Sequence, residues 1–158
     1  MTRDPNLYRP GVGIVLLNNA NHVFIGQRFE GSSEAWQMPQ GGIDNGETPQ
    51  EAVFRELEEE VGTCKAEIVF ELESWLYYDI PPEIASRLWG GKFKGQRQKW
   101  FAMQFLGSDS DINIKTAHPE FRSWMWSPAD SIPEVAIEFR RDSYKYLFQT
   151  LRENRIII

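Results

Sequence analysis

The sequence predicts an α+β fold, an α/β/α sandwich in which helices cover a mixed central sheet. Three observations support this prediction: strand-like apolar segments on both sides of one well-marked helix, an amphipathic segment near the end of the chain, and no internal repeat. The length of 158 residues is that of one ordinary domain. We therefore expect residues 1–158 to form a single domain.

Two strands open the predicted fold. Residues 12–17 are an apolar run bounded by Gly11 and an asparagine-rich turn, and residues 23–27 follow, so the pair predicts a β-hairpin. Residues 31–46 are rich in glycine, proline and polar side chains and predict a long irregular loop. Loops of this length in compact domains are commonly functional, so we expect a site there.

The clearest helix is predicted from Pro49 to Val61. Thr48 offers a hydroxyl N-cap, and Glu51 offers the reciprocal carboxylate of a capping box. Gly62 is placed to end the helix. Apolar residues recur every four positions and give the helix a stripe to bury: Val53, Leu57 and Val61.

The second half of the chain predicts three strands and two helices. Residues 68–78, 99–106 and 121–126 are rich in aromatic, β-branched or large apolar side chains and predict strands. A short helix is expected at residues 83–89, between a proline pair and a group of glycines. Four apolar residues at helical spacing predict a closing amphipathic helix: Tyr144, Leu147, Phe148 and Leu151.

Charge and composition exclude several classes of protein. Lys and Arg total 17 against 23 Asp and Glu, a formal charge of −6, so any contact with nucleic acid must be local. A hydrophobic content of 41% excludes a disordered chain. The single cysteine, Cys64, permits no intrachain disulfide and fits a reducing compartment. Because neither a signal-peptide pattern nor a membrane-spanning stretch is present, we expect a cytoplasmic protein.

Three glutamates converge on one face of the predicted helix. Steps of three and four residues separate Glu56, Glu59 and Glu60, which places them within about 100° of arc. Two unit charges 4 Å apart repel by about 4 kcal/mol at an effective dielectric constant near 20, so the cluster needs compensation. Arg55, four residues before Glu59, is the nearby cation that can hold a carboxylate in orientation. A solvated acidic face is the alternative interpretation.

The glycines that precede the helix favour a metal site over that alternative. Gly41 and Gly42 can bring bare backbone carbonyls close to the acidic face. Carboxylates together with a carbonyl provide the oxygen ligands of a hard cation, and Mg²⁺ binds through a few carboxylates while it keeps waters and substrate phosphates. We therefore expect Mg²⁺ as cofactor, with Mn²⁺ or another divalent cation as the alternative.

These residues match a known signature. Gly41, Glu47 and residues 55–62 (RELEEEVG) resemble, in identity and spacing, the signature of the Nudix hydrolases, which cleave nucleoside diphosphates linked to another group. Seven fixed letters at about 7% each give a chance match on the order of 10⁻⁶ over the chain. Thr63 stands where the family usually has an aliphatic residue, which concerns packing after the helix and removes no ligand.

The resemblance narrows to one branch, the bacterial RNA pyrophosphohydrolases and the similar diadenosine tetraphosphate hydrolases. It covers nearly the whole chain, through residues 8–10, 36–42, 75–78, 95–101, 119–121 and 139–142. It implies the Nudix fold and a metal-dependent pyrophosphohydrolase that removes pyrophosphate from the 5′-triphosphate end of RNA, the 5′ end decapping that initiates mRNA decay. Asymmetric hydrolysis of dinucleoside polyphosphates such as diadenosine tetraphosphate is the alternative.

The resemblance also implies the roles of individual residues. The implied metal ligands are the carbonyl of Gly41 and the carboxylates of Glu56, Glu59, Glu60 and Glu120. Among the catalytic residues, which are Arg55 and the three helix glutamates, Glu56 is the implied general base, and Arg55 orients its neighbours. Glu47 fits a supporting role beside the metal ligands.

Substrate recognition needs cations for the phosphates and a flat surface for a base. The cationic candidates are Arg9, Arg28, Lys99 and Arg140. Tyr78 and Phe139 are the candidate stacking surfaces, with core packing as the equal alternative, and Gln40 is a further candidate contact. The expected partner is an RNA 5′ end or a dinucleoside polyphosphate, with no membrane, no long basic groove, and a monomer or weak oligomer.

Two hypotheses from other classes stay open. A catalytically silent nucleotide-binding module on the same fold would be expected to lack acidic residues of the signature, whereas all of them are present here. An interaction protein would use an interface of aromatic strands, although a core explains the same pattern more simply. The tryptophans concerned are Trp75, Trp100, Trp124 and Trp126.

Overall fold

The computed structural model of the chain describes residues 3–29 and 35–158. The strands in these ranges are β1 (Tyr8–Leu17), β2 (Val23–Arg28), β3 (Trp36–Gln37), β4 (Gln40–Gly42), β5 (Ala66–Glu71), β6 (Leu76–Asp79), β7 (Gly95–Phe105) and β8 (Phe121–Ser127). The helices are α1 (Pro49–Val61), α2 (Pro82–Ala85), α3 (Ile132–Val135) and α4 (Glu138–Glu153). None of these helices is both long enough and apolar enough to cross a membrane.

A mixed sheet forms the centre of the molecule. β1 and β7 run parallel, in register from Tyr8 beside Gly95 to Leu17 beside Gln104. The path through the sheet is β3-β2-β1-β7-β5, while β4 pairs with β1, β6 with β7, and β8 with β2. The predicted class, a mixed sheet covered by helices, is confirmed.

Alternating side chains of β1 supply a core to each face of the sheet. Val12, Ile14 and Leu16 point to the face covered by α1, whereas Val15 and Leu17 point to the face covered by α4. The predicted stripes of both helices are buried there, and each buried Leu or Val side chain contributes about 1.5–3 kcal/mol.

Two of the predicted tryptophans contribute to these cores. Trp100 is fully buried and meets the ring of Tyr144 edge-on, with 6.0 Å between centroids. Trp124 stacks on Phe24 at 5.5 Å. These contacts support core packing over an aromatic interface for the two residues.

Helix α1 begins and ends where its capping residues predict. The Thr48 hydroxyl accepts the Glu51 N–H at 3.1 Å, and the Glu51 carboxylate accepts the Thr48 N–H at 2.9 Å. Gly62 adopts a left-handed φ of 82°, and its N–H closes the last turn on the Glu58 carbonyl. The position of the signature glutamates on this helix therefore follows from local sequence alone.

Several strand predictions were wrong in extent, because they depend on partners distant in sequence. Residues 68–78 form two strands rather than one, and a bulge between Ile68 and Phe70 marks where β5 departs from regular pairing with β7. β1 and β2 pair as a hairpin only at Leu17 and Val23, since β2 pairs along its length with β8. The strands predicted at 12–17 and 99–106 begin earlier, at Tyr8 and Gly95.

Two further segments differ from expectation. The predicted loop 31–46 contains β3 and β4 in its described part, and residues 31–34 lie outside the described residues. The helix expected at 83–89 is reduced to α2. Further along the chain, Trp89, Gly90 and Gly91 have positive φ angles of 49°, 67° and 73°. The predicted helix cannot extend through them, because residues in a left-handed conformation do not continue a right-handed helix.

Candidate active site

A cavity of about 660 Å³ is lined by most of the predicted site residues. It lies where β4, the acidic side of α1, the start of α4 and the residue before β8 meet. The predicted residues on its lining are Arg9, Arg28, Gln40, Gly41, Glu56, Glu59, Glu60, Tyr78, Glu120, Phe139 and Arg140. The fold thus joins the acidic helix to side chains from both halves of the chain.

The three signature glutamates occupy two different environments. Glu56 and Glu60 are buried, with 8% and 4% of their surface exposed, while the Glu59 side chain is 57% exposed. One Glu60 carboxylate oxygen accepts the backbone N–H of Gln40 at 3.1 Å, which ties α1 to β4. Of the three glutamates on this face of α1, Glu59 is therefore the one that is open to solvent.

Arg55 connects most of the groups around this cluster. Its Nη1 donates to the carboxylates of Glu56 at 2.8 Å and Glu59 at 3.1 Å. Its Nε and Nη2 donate to both oxygens of Glu47, at 2.7 and 2.9 Å, and Nη2 also donates to the Gly42 carbonyl at 2.8 Å. A planar guanidinium with five N–H donors is the side chain that can make this set of contacts.

The buried carboxylates carry an electrostatic cost that Arg55 relieves in part. Burial raises the pKa of Glu56 to about 7, the Arg55 contact opposes the rise, and the charges of Glu59 and Glu120 add to it. Burial, followed by the charge of Glu56, likewise raises the pKa of Glu60 well above its ordinary value. A cation bound at this point would favour the ionised form of both groups.

The donor set and the available space fit a hard divalent cation. Oxygen donors predominate, and a Cβ atom at Gly41 would overlap the carboxylate of Glu56, so β4 approaches the acids closely only because it carries glycine there. Among residues 3–29 and 35–158, no three acidic, histidine or cysteine side chains already surround one point as a complete ligand group. Arg55 bridges Glu56 and Glu59 in the structure, so a bound cation would compete with its guanidinium.

Glu120, the residue just before β8, lines the cavity. It forms an ion pair with Arg28 at 3.5 Å, with side chains 44% and 37% exposed. The predicted metal ligand from the distant loop and a predicted phosphate-binding arginine therefore contact each other in the structure.

Aromatic and cationic side chains form another part of the lining. The rings of Tyr78 and Phe139 stack with 5.6 Å between centroids and 20° between planes, and the buried guanidinium of Arg140 lies 5.2 Å from the Tyr78 centroid. Tyr78 is buried and Phe139 is half-buried, so Phe139 is the more accessible ring. Arg140 Nη1 is buried without a hydrogen-bond partner among the described residues, as a donor reserved for a ligand would be.

Trp89 and Gln96 also line the cavity, and neither was among the site residues predicted from the sequence. Arg9 lies against Gly42, and its guanidinium sits 5.2 Å from the ring centroid of Trp89. Gln98 donates to the side-chain oxygens of Gln40 at 2.7 Å and Gln96 at 3.0 Å. The alternation of polar glutamines with other residues at the start of β7 was the available signal for Gln96.

Lys99 lies outside the cavity as the described residues outline it. Its Nζ donates to the Glu73 carbonyl at 3.0 Å and pairs with the Glu71 carboxylate at 3.4 Å. The prediction that Lys99 binds substrate phosphate is therefore not supported by this geometry, because its charge is already used to hold β5 and the following turn against β7.

The Glu47–Arg55 contact predicts a specific pH dependence of stability. The Arg55 hydrogen bonds lower the pKa of Glu47 from 4.5 to about 2, so the contact stabilises the fold above pH 4.5 and this contribution is lost as the pH falls towards 2. Glu47→Gln should lower the free energy of unfolding by roughly 2 kcal/mol at pH 7. Denaturant titrations should show that the difference in unfolding free energy between Glu47→Gln and the unsubstituted protein is smaller at pH 3 than at pH 7.

Glu67→Gln, which removes an exposed carboxylate from β5, provides the matched control for that measurement. It should leave the unfolding free energy nearly unchanged at both pH values. A Glu47→Gln effect of the same size at pH 3 and pH 7 would contradict the assigned ion pair.

Comparison with known proteins identifies a family and close relatives. The family model described as the NUDIX domain matches residues 7–149. The RNA pyrophosphohydrolase of Rhodospirillum rubrum is 52% identical over 144 residues, which cover 91% of this chain and 87% of the relative. The RNA pyrophosphohydrolase of Wolbachia pipientis wMel is 47% identical over 150 residues, covering 94% and 92%.

Solved structures share the fold at low sequence identity. The dihydroneopterin triphosphate pyrophosphohydrolase of E. coli gives a TM-score of 0.67 at 18% identity, covering 89% of this chain and 96% of that one. A binary complex of a C. elegans Ap4A hydrolase gives 0.66 at 19% identity, covering 92% and 98%. These likenesses concern the fold alone, and they confirm the fold that the sequence resemblance implied.

Proposed function

The chain belongs to the NUDIX family, and from that premise we propose that it removes pyrophosphate from the 5′-triphosphate end of RNA, acting as one domain over residues 1–158. The relatives named RNA pyrophosphohydrolase, at 47–52% identity over most of the chain, support this substrate. The observation that carries the proposal is a cavity in which the α1 carboxylates face cationic and aromatic side chains.

Nudix hydrolases generally use divalent cations, and we propose Mg²⁺ here, with Mn²⁺ as the alternative. Gly41, Glu56, Glu59, Glu60 and Glu120 would hold the cation. When bound, it would neutralise the polyphosphate and lower the pKa of a water molecule. The oxygen donors support this assignment, and so does the raised pKa of Glu56, since burial makes a compensating positive charge favourable there.

The side chains of the chain itself have separate tasks in this reaction. Glu56 is the proposed general base: burial raises its pKa to about 7, and a bound cation would favour the ionised carboxylate that accepts the proton of the attacking water. The water oxygen bonds to phosphorus, and the phosphoanhydride bond breaks. Pyrophosphate is released, and the RNA retains a 5′-monophosphate. Arg55 holds Glu56 and Glu59 in orientation.

Recognition of the substrate falls to the remaining lining. Arg9, Arg28 and Arg140 carry guanidinium groups that pair with phosphate oxygens, and Arg140 has a buried donor without a partner among the described residues. Phe139 would stack on a base, with Tyr78 packed behind it. Gln40 contributes mainly structure, because its backbone N–H and side-chain oxygen are both engaged.

A direct substrate comparison tests the proposal. With Mg²⁺ present, the protein should release pyrophosphate from triphosphorylated RNA and leave a 5′-monophosphate end, measured by labelled-phosphate chromatography. Diadenosine tetraphosphate is the second substrate to assay, because it also presents a base next to a polyphosphate. Cleavage of the dinucleotide without cleavage of RNA would overturn the proposed substrate. Absence of hydrolysis of both would favour a silent nucleotide-binding module.

A further inference from the structure

A second cavity, of about 680 Å³, borders the candidate active site. Ile80 and Phe139 line both cavities, so the two cavities are adjacent. Lys92, Phe93 and Lys94 form part of its lining, in the segment between α2 and β7. We call this second cavity the downstream cavity.

The downstream cavity has an excess of positive charge. Lys92 and Lys94 are exposed, while the one acidic residue on the described lining is Asp79. Asp79 is already engaged, since it accepts the Tyr8 hydroxyl at 2.6 Å and pairs with Arg3 at 3.3 Å. On a chain with a formal charge of −6, this is a local cationic surface beside the active site.

The lysine-bearing segment is held in place by its backbone. The Lys94 N–H donates to the Leu7 carbonyl at 2.9 Å, and the Lys94 carbonyl accepts the Ile80 N–H at 2.9 Å. The ammonium groups lie over aromatic rings, Lys92 at 5.4 Å from the Phe93 centroid and Lys94 at 5.4 Å from that of Tyr8. The cations are therefore attached to a fixed edge of the cavity and not to a free loop.

Aromatic rings accompany the cations. Phe93 is half-buried and meets Trp89 edge-on at 6.1 Å, and Phe139 is half-buried at the border between the two cavities. Ammonium groups suit backbone phosphates, and accessible rings suit unpaired bases of any sequence. This combination is the chemistry of a single-stranded nucleic-acid contact.

We propose that the downstream cavity binds the nucleotides that follow the 5′ end of the RNA, with Lys92 and Lys94 on backbone phosphates and Phe93 against a base. This inference rests on the proposed function and specifies the substrate further: it gives the enzyme a reason to prefer RNA of several nucleotides over dinucleoside polyphosphates, which have no nucleotide chain to extend into the cavity.

The test compares two substrates on one double variant. For Lys92→Ala/Lys94→Ala, KM for an unstructured triphosphorylated RNA of ten nucleotides should rise about fivefold to twentyfold. KM for a triphosphorylated dinucleotide should change less than about twofold, because it cannot reach both lysines. Loss of two phosphate contacts on a single strand should also reduce the slope of log KM against log salt by about 1.4.

A charge-matched control separates local contacts from net charge. Lys145→Ala/Arg155→Ala removes two exposed cations that line neither cavity and should leave the ratio of the two KM values unchanged. Phe93→Leu should raise KM for the longer RNA selectively, which a loss of folding would not do.

The outcomes for the inference and for the proposed function are distinct. The inference about the downstream cavity is overturned if the unsubstituted enzyme hydrolyses triphosphorylated RNA while the lysine double variant shows equal KM changes for short and long RNA. An unchanged salt slope in that variant would point the same way. An unsubstituted enzyme without activity on triphosphorylated RNA of any length would overturn the proposed function itself.

Discussion

Replacing Glu56 with glutamine is expected to lower kcat on triphosphorylated RNA by about 10²–10⁴-fold, the range for loss of a general base. The amide keeps the volume of the buried side chain but can neither accept the proton of water nor bind a cation strongly. Burial raises the pKa of Glu56 to about 7, so at pH 8 the folded protein carries the cost of a buried ionised carboxylate, and the neutral amide removes that cost. The glutamine variant should therefore remain folded, as thermal unfolding at pH 8 can verify.

Glu58→Gln is the matched control for this variant. It makes the same chemical change two residues further along α1, on an exposed side chain that makes none of the Arg55 contacts described above. It should retain kcat within about twofold. Comparable losses in both variants would indicate a general effect of helix charge, and near-normal turnover of Glu56→Gln would refute the assigned base.

Replacing Arg55 with alanine is expected to lower the free energy of unfolding by about 2–4 kcal/mol, because it leaves partly buried carboxylates without their shared partner. Arg55 is 27% exposed at its side chain and donates to Glu47, Glu56 and Glu59 as well as to a carbonyl. Arg55→Lys should recover less than half of the loss, since one ammonium cannot reproduce the planar set of donors. Urea titration at pH 7 measures both variants.

Arg152→Ala supplies the comparison for that experiment. Its ion pair with Asp130 is exposed on both sides, so its removal should cost less than about 0.5 kcal/mol. Mg²⁺ should also stabilise Arg55→Ala more than the unsubstituted protein, because a cation can take over part of the missing charge. An Arg55→Ala effect as small as that of Arg152→Ala would show that the carboxylates need no such partner.

Local sequence was sufficient for α1 and for the identity of its acids. The capping box, the terminal glycine and the spacing of the glutamates all operate within about a dozen residues, and the structure reproduces the helix bounds without change. The same locality explains why the difference between buried Glu60 and exposed Glu59 was not foreseen. That difference is created by β4, which reaches α1 only because it pairs with the middle of β1.

The long-range parts of the site were beyond local reasoning for the same reason. The parallel pairing of β1 with β7 joins residues nearly ninety positions apart and has no local signal. Lys99 carries the positive charge that a phosphate-binding residue needs. However, β5, which pairs with β7, brings the carboxylate of Glu71 to the Lys99 ammonium group. The family resemblance predicted Glu120 for the cavity, whereas its pairing with Arg28 needed the folded chain.

The pair between Arg28 and Glu120 has a thermodynamic consequence. A carboxylate that turns to a metal ion releases the arginine for a phosphate, and a phosphate that captures the arginine releases the carboxylate. Cation and polyphosphate binding should therefore show positive cooperativity, each improving the affinity for the other by the same factor. Both partners are more than a third exposed, so breaking their contact costs at most about 1 kcal/mol and this reciprocal gain should not exceed about fivefold.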